Sequence, residues 1–236
     1  MHLPTTRRRA LVALALAGSL LASGCGSSDD DARRGHDGHG GGPAATTAAG
    51  GPKASATAVD RAFVRQMVPH HQMAVEMAGM AAERSRRPQI RKVAAAIVRA
   101  QDAEIAELRR IAGTLGVRPA AMMGGGHGGH DPSAMDMMAQ DGGALGLSAD
   151  AMGMSMEMGT LERATPFDRA FIDLMIPHHQ GAIRMARAEL ARGRDRRLRA
   201  IARAIVRGQA AEIEQMNAWR RSWYGAPSPA GGVPPA

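Results

Sequence analysis

Two pairs of adjacent histidines, His70-His71 and His178-His179, stand in this chain among the same neighbours. Met67 and Pro69 precede the first pair and Gln72 follows it; Met175, Pro177 and Gln180 do the same for the second. Imidazole nitrogen suits copper and zinc, whereas thioether sulfur is a soft donor that suits Cu(I). A mixture of the two in a chain with a single cysteine therefore points to copper, as Cu(I), Cu(II) or both, ahead of zinc. A di-iron centre would need several carboxylates on the core face with a Glu-x-x-His pair on each of two helices. Only Glu104 and Glu212 are offered there, so iron and oxidase chemistry are disfavoured and no catalytic residue is assigned.

The histidine pairs belong to a longer internal match. Residues from Thr57 to about Leu108 align without a gap on Thr165 to Met216 at a constant offset of 108. Asp60-Arg61-Ala62-Phe63 answers Asp168-Arg169-Ala170-Phe171, and Gln101, Glu104 and Ile105 answer Gln209, Glu212 and Ile213. Each copy reads as two helices. At about 100 degrees per residue, Phe63, Met67, His70, Ala74, Met77 and Ala78 fall on one stripe. A polar break at Ser85 to Pro88, and at Gly193 to Arg196, marks a short turn. Ile90, Val93, Ala94, Ile97, Gln101, Glu104, Ile105 and Leu108 then make the inner face of a returning helix. Thr57 and Thr165 are expected as N-caps, with Asp60 and Asp168 completing a capping box and Pro166 at the first helical position. Two such antiparallel hairpins predict an all-α, ferritin-like four-helix bundle.

Antiparallel pairing about the turn sets His71 level with Gln101 and His70 near Glu104, and likewise His179 with Gln209 and His178 near Glu212. The metal-site candidates are thus His70, His71, Met67, Met77, Glu104, His178, His179, Met175, Met185 and Glu212. Glu104 and Glu212 could ligate or could orient an imidazole from behind, and Gln101 and Gln209 are placed in that supporting role. Pro69 and Pro177 each remove a backbone hydrogen bond just before the pair, which kinks a helix and turns the rings inward.

The remaining segments differ in composition. Residues 1–24 run from Arg7-Arg8-Arg9 through an apolar stretch to small residues, the three parts of a secretory signal, and too short to span a bilayer. Cys25 follows at the cleavage point, as in a lipobox, so lipidation there would anchor the chain to the outer face of the cell membrane. Residues 25–56 read as a flexible tether, 57–116 and 165–224 as the hairpins, 117–164 as a flexible Met- and His-rich linker, and 225–236 as a disordered tail. The linker carries nine of the seventeen methionines. His127, His130, Met152, Met154, Met156 and Met158 could wrap a soft cation there without a preformed site. The net charge of +8 is spread along helix faces without stacking aromatics, so nucleic acid is excluded as a partner. A protein that donates or accepts copper remains an unnamed partner.

At Asp-x-x-Phe-x-x-x-Met-[Val/Ile]-Pro-His-His-Gln, followed some thirty residues later by Gln-x-x-Glu-Ile, both copies resemble the bacterial family of domain of unknown function three hundred and five. The resemblance implies an exported, ferritin-like helical domain associated with copper binding and tolerance, with Met67, His70, His71, Met175, His178 and His179 at the metal. The expected function is sequestration or transfer of copper outside the cytoplasm; the alternatives are a metal-dependent oxidase and a purely structural bundle.

Overall fold

The computed structural model describes residues 56–120, 132–156 and 158–235. The expected signal segment, Cys25, the tether up to residue 55, and His127 and His130 lie outside the described residues. Six helices and no strand are present among those described: α1 (Ala58–Arg84), α2 (Pro88–Leu115), α3 (Pro132–Leu145), α4 (Met158–Glu162), α5 (Phe167–Arg192) and α6 (Arg196–Tyr224). No described helix is long and apolar enough to cross a membrane.

Local chemistry sets the ends of the long helices. Thr57 caps α1 and exchanges hydrogen bonds with Asp60 in a complete capping box, satisfying donors that a helix N-terminus otherwise leaves open. Pro88 occupies the first turn of α2, and Gly116, at φ 62°, closes that helix in the left-handed conformation that glycine adopts freely. Asp195 caps α6 by accepting from the backbone of Arg197 and Leu198. The expected second capping box does not form. Pro166 is the N-cap of α5 and has no side-chain oxygen to offer, and Asp168 instead lies 3.6 Å from Arg87 in the turn of the other hairpin.

Hairpins α1/α2 and α5/α6 pack through α1 and α5, which run antiparallel. Asp60, at the start of α1, accepts from the backbone of Arg194 and Asp195, 2.9 Å each, beyond the end of α5. At the other end, Arg84 donates to the carbonyls of Leu161 and Ala164 and lies over the Phe167 ring. Apolar side chains gather in two clusters. One holds Phe63, Met67, Leu108, Ile111, Leu145, Met152, Met185 and Leu198; the other holds Met77, Ile90, Ile97, Leu161, Phe171, Met175, Ile213 and Met216. The histidine pairs fall between them along α1 and α5.

The structure departs from the sequence reading in residues 117–164 and 225–236. Helix α3 stands where a structureless linker is expected, tied to α1 by the buried Asp141, which accepts from Arg65 at 2.6 Å and Gln66 at 2.7 Å. Leu145, Met152 and Leu161 are fully enclosed, so burying these side chains holds a glycine-rich segment against the bundle. The tail also folds back. Gln180 donates to the carbonyls of Ala230 and Gly232, Asn217 donates to Gly231, and Arg187 donates to Pro234 and Pro235. These side chains meet carbonyls that a proline-rich segment cannot pair within itself.

Glu189 is fully enclosed beside Asp60, with which its carboxyl shares a side-chain hydrogen bond. Burial, and then the negative charge of nearby Asp60, push its carboxyl up to about 8, with Asp195 adding to the rise and Arg199 opposing it. Asp60 itself is held below the usual range: burial opposes its ionisation, but hydrogen bonds from Asp195 and Thr57 outweigh it. Between the ordinary glutamate value of 4.5 and about 8, the folded chain keeps a proton on Glu189 that the unfolded chain has released. Stability from this group therefore falls as pH rises through that window. Glu189→Gln should flatten the decline, measured as urea unfolding free energy at about pH 5 and about pH 8; an unchanged slope would show that Glu189 is not the titrating group.

Candidate metal centre

The four histidines of the two pairs are fully buried. His70 of α1 and His178 of α5 stack at the helix interface, with centroids 3.7 Å apart and planes 18° from parallel. His71 and His179 flank them, with centroids 6.2 Å and 6.4 Å from their own neighbours. Both outer rings are tethered in the same way: His71 Nε2 lies 2.7 Å from Glu104 Oε2, and His179 Nε2 lies 2.7 Å from Glu212 Oε2. Each glutamate reaches the surface, at 24% and 22% side-chain exposure, so the carboxylates stay partly hydrated while the rings do not. The bond goes from His71, not His70, to Glu104. A helical side chain leans toward its own N-terminus, which carries Glu104 back about one turn to the level of His71.

These bonds fix which nitrogens are free. A carboxylate or a carbonyl accepts, so Nε2 donates in His71 and His179, and also in His178, whose Nε2 lies 3.0 Å from the His70 carbonyl. In the neutral tautomer this arrangement leaves the lone pair on Nδ1. Nδ1 of His71 and His179 is buried without a hydrogen-bond partner; Nδ1 of His178 and both ring nitrogens of His70 make no well-formed hydrogen bond, although the Gly153 backbone lies beside His178 and the Met152 backbone beside His70. Gln101 Oε1 and both amide atoms of Gln209 are also buried without a partner. A buried polar group left unpaired costs about 1–3 kcal/mol, and five such atoms occur on His71, His179, Gln101 and Gln209.

The prolines act beside this layer. Pro69 lies inside α1 and cannot donate to the Arg65 carbonyl, which accepts instead from the Ala120 backbone at 3.1 Å. Helix α1 thereby passes its spare acceptor to the chain leaving α2. In α5, Asp173 stands at the matching position, and its carboxylate receives Arg220 at 3.0 Å.

The methionines of one hairpin separate. Met67 and Met185 share the first apolar cluster, and Met77 and Met175 share the second, so each cluster draws one motif methionine from each hairpin. Met152, expected on a free linker, is fully buried in the first cluster. Its carbonyl occupies the space where a side chain at residue 181 would begin: a Cβ there would lie 2.1 Å from Met152 O. Gly181 is therefore required for the turn to seat, and at the matching position in α1 the residue is Met73. Gly153, at φ 72°, passes over the Pro177 and His178 backbone in the same turn. Met154 packs on the first cluster, and Met156 and Met158 on the second.

Among the described residues, no three His, Cys, Asp or Glu side chains converge into a ready metal cage. The donor set nevertheless fits a soft ion: unpaired imidazole nitrogens in a water-excluding layer, with thioethers packed on either side. The expected layer of His with Gln and Glu is present, while Met67 and Met77 stand in different clusters. Glu189 escaped the sequence reading, although the internal alignment shows it opposite Ala81, an acid where the first copy has a core methyl.

A bundle of two helical hairpins joined across stacked, buried histidines defines a class of small all-α proteins with a polar layer in the core. The chain belongs to the family described as Domain of unknown function (DUF305), which matches residues 60–220. CopM in its Cu(II)-bound form is 35% identical, with a TM-score of 0.55 over 70% of this chain and 97% of that one. CopM in its Cu(I)-bound form is 31% identical, with a TM-score of 0.55 over 70% and 98%. A DUF305 protein of Streptomyces coelicolor, 24% identical with a TM-score of 0.54 over 72% and 96%, shares the fold. No curated protein matches the chain.

Burial holds His178 down to about 3, with His179 and His71 adding to the effect, and lowers His70 well below its usual range. Between about 3 and 6.5 the unfolded chain binds a proton that folded His178 refuses. Its contribution to stability is complete above that window and declines as pH falls through it. His178→Gln should make the metal-free protein less acid-sensitive, seen as a shallower fall in thermal midpoint from about pH 6.5 to about pH 4; a slope equal to the parent's would refute the assignment.

Proposed function

We propose that this protein is an extracytoplasmic copper-binding lipoprotein that sequesters or hands over copper, with the histidine layer as its main site. The observation that carries this reading is the set of buried ring nitrogens, above all Nδ1 of His71 and His179, that lack a hydrogen bond inside the protein. A ligand that accepts those lone pairs offsets a desolvation cost which no internal contact meets. CopM, 35% and 31% identical to this chain in its Cu(II)-bound and Cu(I)-bound structures, supports the choice of metal.

In this reading, Nδ1 of His71, His178 and His179 and a ring nitrogen of His70 are the imidazole donors, and the buried thioethers of Met67, Met77, Met175 and Met185 supply soft character. Glu104 and Glu212 accept the Nε2 protons, fix the tautomers and make the opposite nitrogens more basic, a carboxylate–histidine arrangement common behind metal ligands. With both carboxylates engaged in this way, the site suits holding an ion better than turning over a substrate. Export and anchorage rest on the Arg-rich apolar N-terminus and Cys25.

Competition titration of the mature protein with Cu(I) and with Cu(II) tests the reading. Replacing His70, His71, His178 and His179 together by alanine should lower affinity by about 100-fold or more, with helix content checked by circular dichroism. Copper at about 100 times its Kd should add about 2.7 kcal/mol to the parent's stability, and a chelator should remove it. Unchanged affinity in the alanine variant would overturn the site assignment.

A further inference from the structure

Gln101 and Gln209 face the core from α2 and α6 at 3% and 4% exposure. They are not spent on the protein: the Gln101 carbonyl oxygen and both polar atoms of Gln209 lack hydrogen-bond partners. Each stands one helical turn before the glutamate that holds a histidine, Glu104 or Glu212, on the same inward face. The antiparallel register that sets Glu104 on His71 and Glu212 on His179 places the glutamines across from Ala74 and Ala182, fully buried methyl side chains one turn from the histidines that offer an amide no hydrogen-bond partner. An apolar residue of similar size would fill either place without the cost of burying an unpaired amide.

Carboxamide oxygen is a harder donor than thioether or imidazole and adds little for Cu(I), whereas Cu(II) accepts oxygen and nitrogen donors together. Resting on the copper reading above, we propose that Gln101 and Gln209 are ligand positions selective for the oxidised ion: their carbonyl oxygens complete a Cu(II) site built on the histidines and stay idle when a soft monovalent ion is held. The layer then carries two overlapping donor sets, imidazole with thioether and imidazole with amide oxygen.

The test compares the full mature protein with the double variant Gln101→Leu/Gln209→Leu, using Cu(II) and, as a redox-inert monovalent probe, Ag(I). Cu(II) affinity should fall about 10-fold or more while Ag(I) affinity stays unchanged, and the metal-free thermal midpoint should rise because unpaired amides have left the core. A parallel loss of both affinities, or no loss of either, overturns the proposal. Should the leucine variant fold poorly, Gln101→Met/Gln209→Met keeps the shape and replaces oxygen by sulfur. It should move the Ag(I)-to-Cu(II) preference toward silver, and an unmoved ratio refutes the idea. Failure of the parent protein to bind either ion would instead sink the copper reading itself.

Discussion

The stacking of His70 on His178 is the contact around which the bundle is arranged. Two uncharged imidazoles 3.7 Å apart can share a dry interface only while both stay unprotonated, because paired positive charges at that separation in a medium that excludes water would repel strongly. The stack fixes α1 against α5 at a single register, places one apolar cluster on each side, and leaves the outer histidines reaching toward α2 and α6. A slip of one helical turn between α1 and α5 would break the stack and the His178–His70 carbonyl bond, and would bury each inner imidazole against apolar side chains of the facing helix.

Around this contact the two hairpins play matching but unequal parts. His71–Glu104 and His179–Glu212 repeat each other to the tenth of an ångström. The surroundings do not repeat. Asp60 completes a cap and holds the opposite turn, whereas Asp168 has a buried oxygen without a partner. Glu189 replaces a methyl side chain. Gln180 is bound by the C-terminal segment, while Gln72 is half-buried without such a strap. The match is therefore confined to the histidine layer, and the contacts around it differ between the halves.

Much of this was legible in the sequence because helical hairpins announce themselves locally. The apolar stripe through Phe63, Met67 and Ala74, the polar turns, and a repeat without gaps give the hairpins, and simple counting about the turns brings Glu104 to the histidines. The missed features depend on long-range contacts with weak local signals. Helix α3 contains two adjacent glycines, and its anchor is one aspartate, Asp141, whose meaning depends on Arg65 and Gln66 some seventy-five residues earlier. Met152 reads as one of several alternating methionines until Gly181 is seen to be its socket. The tail is rich in proline and glycine, the composition of a frayed end, and is held by side chains of α5 and α6 that it meets only in the folded state. The division of the motif methionines between clusters was hidden too, since it depends on how α5 lies on α1.

The socket at Gly181 gives the two halves different identities. A chimera carrying the first hairpin twice would present Met73 where the connecting turn must lie and would expel it; one carrying the second hairpin twice would leave an empty notch on the opposite face. The connection is thus a keyed part with one permitted seat. Two halves that carry the same motif are thus not exchangeable, and the key is the absence of a single β-carbon.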